Sequence, residues 1–518
     1  MPLLASAFRA SPIVSVLMGD GVTEIGPHAF QDCTVLTNVE LSDTLTAVSF
    51  YAFDECKALT DITLPDGITC IKEGAFNKSG LQTIRFGKNT ETIGAFAFAH
   101  CDGMLSIILP ENIKALGEKT FYECTKLVSV TLPAGLKTIG NSVFENCHEL
   151  KELNLPQSVE VIGDNAFTCC FKLRIEDLPD SLTTIGNSAF KSTTLVSNFQ
   201  TIIPSTVTYI GMNAFNCDVI CAEVTEKPDA WNIGWAGSSS FVIWGAQSFE
   251  TDMQGVCYVV RQDGKRVVVG HDGLSREVIL PDGVVAIVEG VFENCEKLQE
   301  ISIPDGVEII GEDTFRYCTH LNKVTLPNTL TTIKEGAFSE CWGLTEMTLP
   351  DSVTYIADRA FQGCGNLGRS DFPIPAGVTY IGDYAFEGSC LHSIAIPEGV
   401  TKIGDYAFIH CDALADITLP QSLKEIGVNA FQYCTSIRSI TLPDGLEIIG
   451  EYAFDNTTAL NQITIPASVQ KIGNYAFGDY GYINIYCQAE SKPDGWHARW
   501  AGSDATVYWN ATATVIKE

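Results

Sequence analysis

Hydrophobic positions recur along this chain in units of 22 to 25 residues. In the unit from Leu414 to Cys434, the pattern L-x-x-I-x-L ends at a proline, a second short apolar stretch ends at a glycine, and Ala-Phe-x-x-Cys follows. The alternation in the first part predicts a short strand, and the second part predicts another extended segment. The spacing of Ala430, Phe431 and Cys434 predicts a single helical or 3₁₀ turn.

One phenylalanine occupies the same place in each of eighteen units. These residues are Phe30, Phe53, Phe76, Phe98, Phe121, Phe144, Phe167, Phe190, Phe215, Phe292, Phe315, Phe338, Phe361, Phe386, Phe408, Phe431, Phe454 and Phe477. A unit of about 23 residues is too small to bury its apolar face alone, so the units must stack into a solenoid with one continuous core. Ala7 and Phe8 precede Phe30 at the same spacing, and we therefore expect the chain to begin within an array whose N-terminus is truncated.

The repeats fall into two arrays, which we assign to residues 1–246 and 247–518. Residues 245–256 separate the arrays and are expected to form a linker. The next stretch, 257–269, has an Asp-Gly pair between two runs of β-branched residues, which is typical of a β-hairpin. We expect this hairpin to cap the start of the second array.

Each array ends in a segment rich in tryptophan. The six tryptophans of these segments are Trp231, Trp235, Trp244, Trp496, Trp500 and Trp509. The open end of a solenoid must be covered to prevent association through its edge, so we interpret both segments as caps. A carbohydrate-binding module that uses the same indole rings is an alternative.

Twelve of the nineteen cysteines follow the repeat phenylalanine by three residues. They are Cys33, Cys56, Cys101, Cys124, Cys147, Cys170, Cys295, Cys318, Cys341, Cys364, Cys411 and Cys434. Side chains at one repeat position point the same way into the core, where a free thiol acts as a small hydrophobic group. Parallel Cβ vectors do not suit a disulfide, so we predict reduced, buried thiols and no metal site.

The charge balance excludes several classes of function. Lys and Arg number 32 and Asp and Glu number 63, which gives a net charge of −31. A field of this sign repels nucleic-acid backbones and anionic lipid.

No apolar stretch approaches the ~20 residues of a membrane-spanning helix, so no membrane insertion is expected. We find no nucleophile elbow, zinc-protease motif or nucleotide-binding glycine loop, and we expect a monomer with no cofactor and no enzyme activity.

The repeat unit resembles the leucine-rich repeats of the BspA-like family of bacterial surface and secreted proteins. The resemblance rests on positions that recur together, such as Ile403-Gly404, Ala407-Phe408 and Cys411. It implies an α/β solenoid: a curved, right-handed superhelix with short parallel strands on the concave face and short helical or 3₁₀ turns opposite. It also implies an extracellular or cell-surface location and a role in adhesion.

The concave strand positions are the candidate binding residues. They combine a threonine near the end of the first strand with a polar residue two positions earlier. The candidates are Asp61, Thr63, Ser129, Thr131, Lys323, Thr325, Glu346, Thr348, Asp416, Thr418, Ser439 and Thr441. A purely structural alternative is that β-branched residues suit strands and that the threonine hydroxyls bond to one another across rungs.

Two longer units supply further candidates at the rim. The units that end at Phe215 and Phe386 are 25 residues long and carry Phe199 and Phe372 in their extra residues. Insertions at this point are expected to bulge and to place both rings near solvent, although drift in unit length alone would also account for them.

Together these features predict a non-enzymatic protein that binds a protein or glycan macromolecule through its concave and rim surfaces. A structural spacer within a larger surface protein is the remaining alternative.

Overall fold

The computed structural model describes residues 2–175, 177–193, 201–216, 219–238, 240–369, 372–478 and 482–511. The chain divides into two compact units, Met1–Ser248 and Phe249–Glu518. Each unit is a solenoid of stacked parallel strands around its own hydrophobic core. Each typical repeat contributes two strands. The first strands of successive repeats pair to form what we call the first ladder, and the second strands pair to form the second ladder.

In the first unit, the first ladder is built from the L-x-x-I-x-L segments. Its strands are Ser15–Leu17, Asn38–Glu40, Asp61–Thr63, Thr83–Arg85, Ser106–Ile108, Ser129–Thr131, Glu152–Leu153, Ile202–Ile203, Val219–Ala222 and Phe241–Trp244. The second ladder is one eight-stranded sheet. Its strands are Ala47–Val48, Cys70–Ile71, Thr92–Ile93, Ala115–Leu116, Thr138–Ile139, Val161–Ile162, Thr184–Ile185 and Tyr209–Ile210.

The second unit repeats this plan. Its first-ladder strands are Glu277–Ile279, Glu300–Ser302, Lys323–Thr325, Glu346–Met347, Ser393–Ala395, Asp416–Thr418, Gln462–Ile465, Asn484–Cys487 and Thr506–Trp509. Its second ladder is again one eight-stranded sheet. The strands of that sheet are Ile309–Ile310, Thr332–Ile333, Tyr355–Ile356, Tyr380–Ile381, Lys402–Ile403, Glu425–Ile426, Ile448–Ile449 and Lys471–Ile472.

The phenylalanine stack is confirmed. All eighteen repeat phenylalanines are buried. Neighbouring rings within each array lie nearly parallel with their centroids 5.1–5.6 Å apart. Phe8 extends the stack, since its ring lies 5.4 Å from that of Phe30. Offset stacking at this separation is a favoured arrangement of aromatic pairs, so the stack contributes beyond the area that it buries.

The segment around each phenylalanine is not a helix, and the expected helical or 3₁₀ turn is wrong. The described residues contain no helix of either kind. In a typical unit, Asn429 and Tyr433, which lie two residues before and two residues after Phe431, have φ of 56° and 63°. A left-handed residue on each side of the ring interrupts any right-handed helix. The handedness of the superhelix stays a prediction.

Backbone hydrogen bonds explain this conformation. The N–H of Phe431 donates to the carbonyl of Ala453 in the next rung at 2.8 Å, whereas the N–H of Gln432 donates to Asn429 within its own rung at 3.1 Å. Alternate amides therefore connect neighbouring rungs and close local turns. A helix would direct every amide along its own axis and leave the rungs without these bonds.

The tryptophan segments end each aromatic stack. Trp235 packs edge-on against Phe215 with centroids 6.1 Å apart, and Trp500 packs edge-on against Phe477 at 5.9 Å. The two remaining buried indoles donate their Nε1–H groups to backbone carbonyls, Trp231 to Val207 at 3.2 Å and Trp496 to Val469 at 3.1 Å.

A sugar-binding platform of cap tryptophans is not supported. Trp231, Trp235, Trp496 and Trp500 are buried, and Trp244 and Trp509 are half-buried against them. The four buried rings belong to the core and are not available for stacking on a ligand.

The expected linker between the arrays is also wrong. Ala246–Thr251 is a strand in a four-stranded sheet whose other strands are Val256–Arg261, Arg266–His271 and Val284–Ile287. The two middle strands form the predicted hairpin, with Gly264 at φ 77° in its turn. Arg266–His271 then pairs in parallel with Val284–Ile287, so the hairpin adjoins the first rungs of the second array.

Candidate binding surface

Each first-ladder strand turns alternate residues toward solvent. In Asp61–Thr63 the central Ile62 is buried and the residues on both sides of it are exposed, because successive side chains of a strand point to opposite faces. We call the solvent side of the first ladder the outer strand face. Parallel pairing in register aligns its residues into columns, as Asp61 aligns with Thr83 and Thr63 with Arg85.

Eleven of the twelve predicted strand residues are exposed on this face, and Ser129 is half-exposed. Ser439 and Thr441 lie outside the paired strands but continue the same pattern, since Ile440 between them is buried. Within each unit, these residues therefore lie on the solvent side of the first ladder. Whether they bind a ligand stays a prediction.

The threonine hydroxyls of this face do not bond across rungs. Within the described residues, the hydroxyl groups of Thr63, Thr131, Thr325, Thr348, Thr418 and Thr441 make no hydrogen bond to another protein group. Threonines next to the second ladder behave differently, since the Thr46 hydroxyl donates to Thr23 and the Thr331 hydroxyl to Glu308. The structural alternative for the outer-face threonines thus loses its cross-rung bonds and keeps its other part, the preference of β-branched residues for strands.

The charged candidate residues make only weak contacts within the protein. Lys323 forms an ion pair with Glu300 in the neighbouring strand at 3.5 Å, and both side chains are nearly half-exposed. Asp61 accepts a hydrogen bond from the Thr60 hydroxyl at 3.2 Å. An exposed pair such as Lys323 and Glu300 contributes little stability, about 0–1 kcal/mol, so these charges remain available to a partner.

Shallow depressions lie on the outer strand face. One of about 520 Å³ surrounds Ser129 and Thr131 and also includes Lys151, Glu152 and Arg174. A second, of about 420 Å³, is lined by Lys323, Thr325, Glu346 and Thr348 together with the apolar residues between them.

A third depression, of about 310 Å³, lies near the end of the second array. It is lined by Ser439, Thr441, Thr464 and Gln462 and is closed on one side by Tyr486. Tyr486 was not predicted, because its role depends on which strand lies beside it, and the sequence of a single unit does not contain that information.

The rim prediction fails for Phe372. Its ring is buried and packs edge-on against Phe361 at 5.6 Å and Phe386 at 6.1 Å. A phenylalanine gains about 1.5–3 kcal/mol on full burial, and the extra residues of this long unit let the ring turn inward between two rungs. Phe199 lies outside the described residues.

The cysteine positions form a ladder of buried thiols. Apart from Cys221, the cysteines that the structure describes form no disulfide. In eleven of the twelve ladder positions, the thiol donates to the carbonyl of a repeat phenylalanine in the preceding rung, as Cys124 does to Phe98 at 3.1 Å. Burial raises the pKa of Cys56 and of Cys101 to about 12. The thiols of Cys56 and Cys101 are therefore protonated near neutral pH and are poor nucleophiles.

Within the described ranges, no group of three or more His, Cys, Asp or Glu side chains is arranged to hold a metal ion. The same part of the chain contains no helix that is long and apolar enough to cross a membrane.

The fold and the repeat geometry define a leucine-rich-repeat protein. The model of the BspA type leucine rich repeat region matches residues 3–127, 91–221, 274–368 and 369–484, which is well over half of the chain. The chain therefore belongs to the BspA-type leucine-rich-repeat family. The recurrence of Ile-Gly, Ala-Phe and Cys in the repeat was sufficient to identify it. No curated protein matches the chain.

Solved structures of bacterial leucine-rich-repeat proteins are similar to parts or most of this chain. One from T. pallidum is 30% identical, covering 36% of this chain and 90% of its own, with a TM-score of 0.34. A leucine rich cell surface protein from Faecalibacterium prausnitzii is 24% identical, covering 80% and 87%, with a TM-score of 0.34. A protein from Bacteroides ovatus is 21% identical, covering 98% and 87%, with a TM-score of 0.29.

Proposed function

We propose that this protein binds a protein partner through the outer strand faces of its two arrays and catalyses no reaction. The observation that carries the proposal is the set of threonine hydroxyls on that face, which are exposed and make no hydrogen bond within the part of the chain that the structure describes. Groups that contribute neither to core packing nor to cross-rung bonding remain free to contact a ligand.

The shape and charge of the face support the same role. Two of its depressions each lie over two neighbouring strands, and ion pairs such as Lys323 with Glu300 are exposed and weak. A partner would therefore meet many small polar contacts with few large aromatic anchors. Such an interface favours moderate affinity spread over a large area.

We further propose that the protein acts at a cell surface or outside the cell, in adhesion to other cells or to host components. Membership of the BspA-type family supports this placement. The net charge of −31 argues for protein partners over nucleic acid or anionic lipid.

The proposal is tested with an array of secreted and cell-surface proteins probed with the full chain. We expect at least one bound protein, and we expect the triple variant Asp61→Lys, Glu346→Lys, Asp416→Lys to lose at least tenfold in affinity for it. All three carboxylates are exposed on the outer strand face, so the change should not unfold the protein.

A matched control carries the same change in charge elsewhere. Glu91, Glu296 and Glu308 are exposed but lie outside the first ladder, and their replacement by lysine should leave binding within twofold. Unchanged binding by the outer-face variant, or an equal loss in both variants, would contradict the assignment of the face.

A further inference from the structure

The outer strand face of the second array changes character at its last strands. Tyr486 aligns with Thr464 on one side and with Tyr508 on the other. The two tyrosine rings lie 5.0 Å apart with an interplanar angle of 13°. At this aligned position of the outer strand face, threonine is therefore followed by two stacked tyrosines.

The stacking fixes the direction in which Tyr486 presents its ring. One face of the ring lies against Tyr508, so the opposite face looks back along the ladder toward Thr464. Threonine is much smaller than tyrosine and leaves the outer part of that face uncovered. We call this change from Thr464 to Tyr486 the tyrosine step. The third depression, of about 310 Å³, lies there.

The rest of the lining combines hydrogen-bonding side chains with four apolar residues, Ile440, Leu442, Ile463 and Pro466. Across the described ranges, the side chains of Thr441, Thr464 and Gln462 make no hydrogen bond to protein. Gln488 uses its Oε1 to accept from the Ala467 N–H at 3.2 Å and keeps its two amide donors.

The charge of this depression sets it apart from the other two. Its lining, among the residues that the structure describes, includes one carboxylate, that of Asp444, and neither Lys nor Arg. The depression around Ser129 includes Lys151 and Arg174, and the one around Glu346 includes Lys323. The third depression is thus unsuited to an anionic ligand.

We infer that this depression is a binding site for a neutral glycan. A pyranose ring has an apolar face of C–H groups and a rim of hydroxyls. The apolar face of the sugar can stack on the open face of Tyr486. Its hydroxyls can form hydrogen bonds with the hydroxyl and amide groups around Thr464. Among its described lining residues, the depression offers no cation for a carboxylate.

The first array lacks the tyrosine step. Its last two first-ladder strands pair Cys221 with Ile243 at the positions that correspond to Tyr486 and Tyr508. Both of these residues are buried, so neither position offers an aromatic face. The site is accordingly a property of the second array alone and does not depend on the protein-binding role proposed above.

The test uses the full chain with soluble hexasaccharides of neutral glucans, xylan and mannan, measured by isothermal titration calorimetry. We expect at least one hexasaccharide to bind. Tyr486→Ala should weaken that binding at least tenfold, and Tyr486→Phe, which keeps the ring, should stay within about threefold. Tyr482→Ala is the control, because Tyr482 is almost fully exposed and does not line the depression.

A second variant guards against a folding defect. Thr464→Tyr continues the tyrosine stack and fills the depression, so it should keep the fold and still abolish binding. The inference is overturned if no hexasaccharide binds the unaltered chain, if Thr464→Tyr and Tyr486→Ala bind as well as the unaltered chain, or if only peptides occupy the site in a parallel peptide-array screen.

Discussion

At the scale of single residues, the ladder cysteines act as hydrogen-bond donors inside the core. The Cys101 thiol donates to the Phe76 carbonyl at 3.2 Å and is fully buried. Where the ladder has a threonine, the hydroxyl plays a related part, since Thr457 donates to the Phe454 carbonyl at 2.7 Å. The position therefore requires a small donor, and the recurrence of cysteine along the repeats needs no redox role.

This arrangement predicts that stability falls at alkaline pH. Burial raises the pKa of Cys101 to about 12 from an ordinary value of 9.0. The unfolded thiol ionises first, so the stabilising contribution is complete below about pH 9 and is lost as the pH rises from 9 toward 12. Urea denaturation of the unaltered chain at pH 8, 9.5 and 11 should show a progressive loss.

The variant Cys101→Ser provides the comparison for this prediction. Serine keeps a donor but does not ionise in this range, and a tenfold difference in ionisation constant between the folded and unfolded thiol corresponds to about 1.4 kcal/mol. The loss of stability between pH 8 and pH 11 should therefore be smaller in the variant than in the unaltered chain by about 1–3 kcal/mol. Equal losses in the two proteins would mean that the thiol is not protected in the folded state.

At the scale of the repeat element, the defining feature is a pair of left-handed residues around each phenylalanine. In the unit of Phe121 these residues are Lys119 and Glu123, with φ of 55° and 56°. Such conformations cost about 1–2 kcal/mol each in residues other than glycine. They persist because they direct alternate amides to the next rung, as the Phe121 N–H is directed to Val143 at 2.9 Å.

Substitution at Glu123 tests this conformation. Glu123→Val should lower the free energy of unfolding by about 1–3 kcal/mol, because a β-branched residue is strongly disfavoured at positive φ. Glu123→Gly should be neutral or within about 1 kcal/mol of the original. Both variants lose the same contact with His100, so their difference in chemical denaturation isolates the backbone. Equal stabilities would argue against a left-handed residue here.

Residue type explains why the sequence did not predict this element. The left-handed positions often hold tyrosine, histidine, lysine or glutamate, for example Tyr406 and His410. Positive φ is usually signalled by Gly, Asn or Asp, so the spacing alone suggested a helical turn. The bonds between rungs, which are properties of the stack, decide the local conformation.

At the scale of the whole molecule, repetition made most of the fold predictable. The phenylalanine period gave the stacked core, and the alternation in units such as Leu414–Cys434 gave the exposed strand positions. Features that break the repeat were harder to predict. Phe372 turns inward and Tyr486 projects over a smaller neighbour, and both outcomes depend on packing between units. The candidate face was predictable, whereas the tyrosine step on it was not.

The stack also explains how stability is distributed. Each rung contacts its neighbours through the aromatic column and through backbone bonds, so stability accumulates along each array by nearest-neighbour terms. The tryptophans at the array ends replace the missing neighbour, as Trp500 does for Phe477.

The most direct test of the stacked core is hydrogen exchange of the full chain, measured by mass spectrometry on overlapping peptides. We predict that the amides of the repeat phenylalanines, such as Phe121 and Phe338, exchange slowly in every rung, because each of these two donates to the next rung at 2.9 Å. The amides of the exposed residues Asp66 and Glu111, which donate to no backbone carbonyl in the described part of the protein, should exchange rapidly. Central phenylalanine amides that exchange as fast as those of Asp66 and Glu111 would contradict the account.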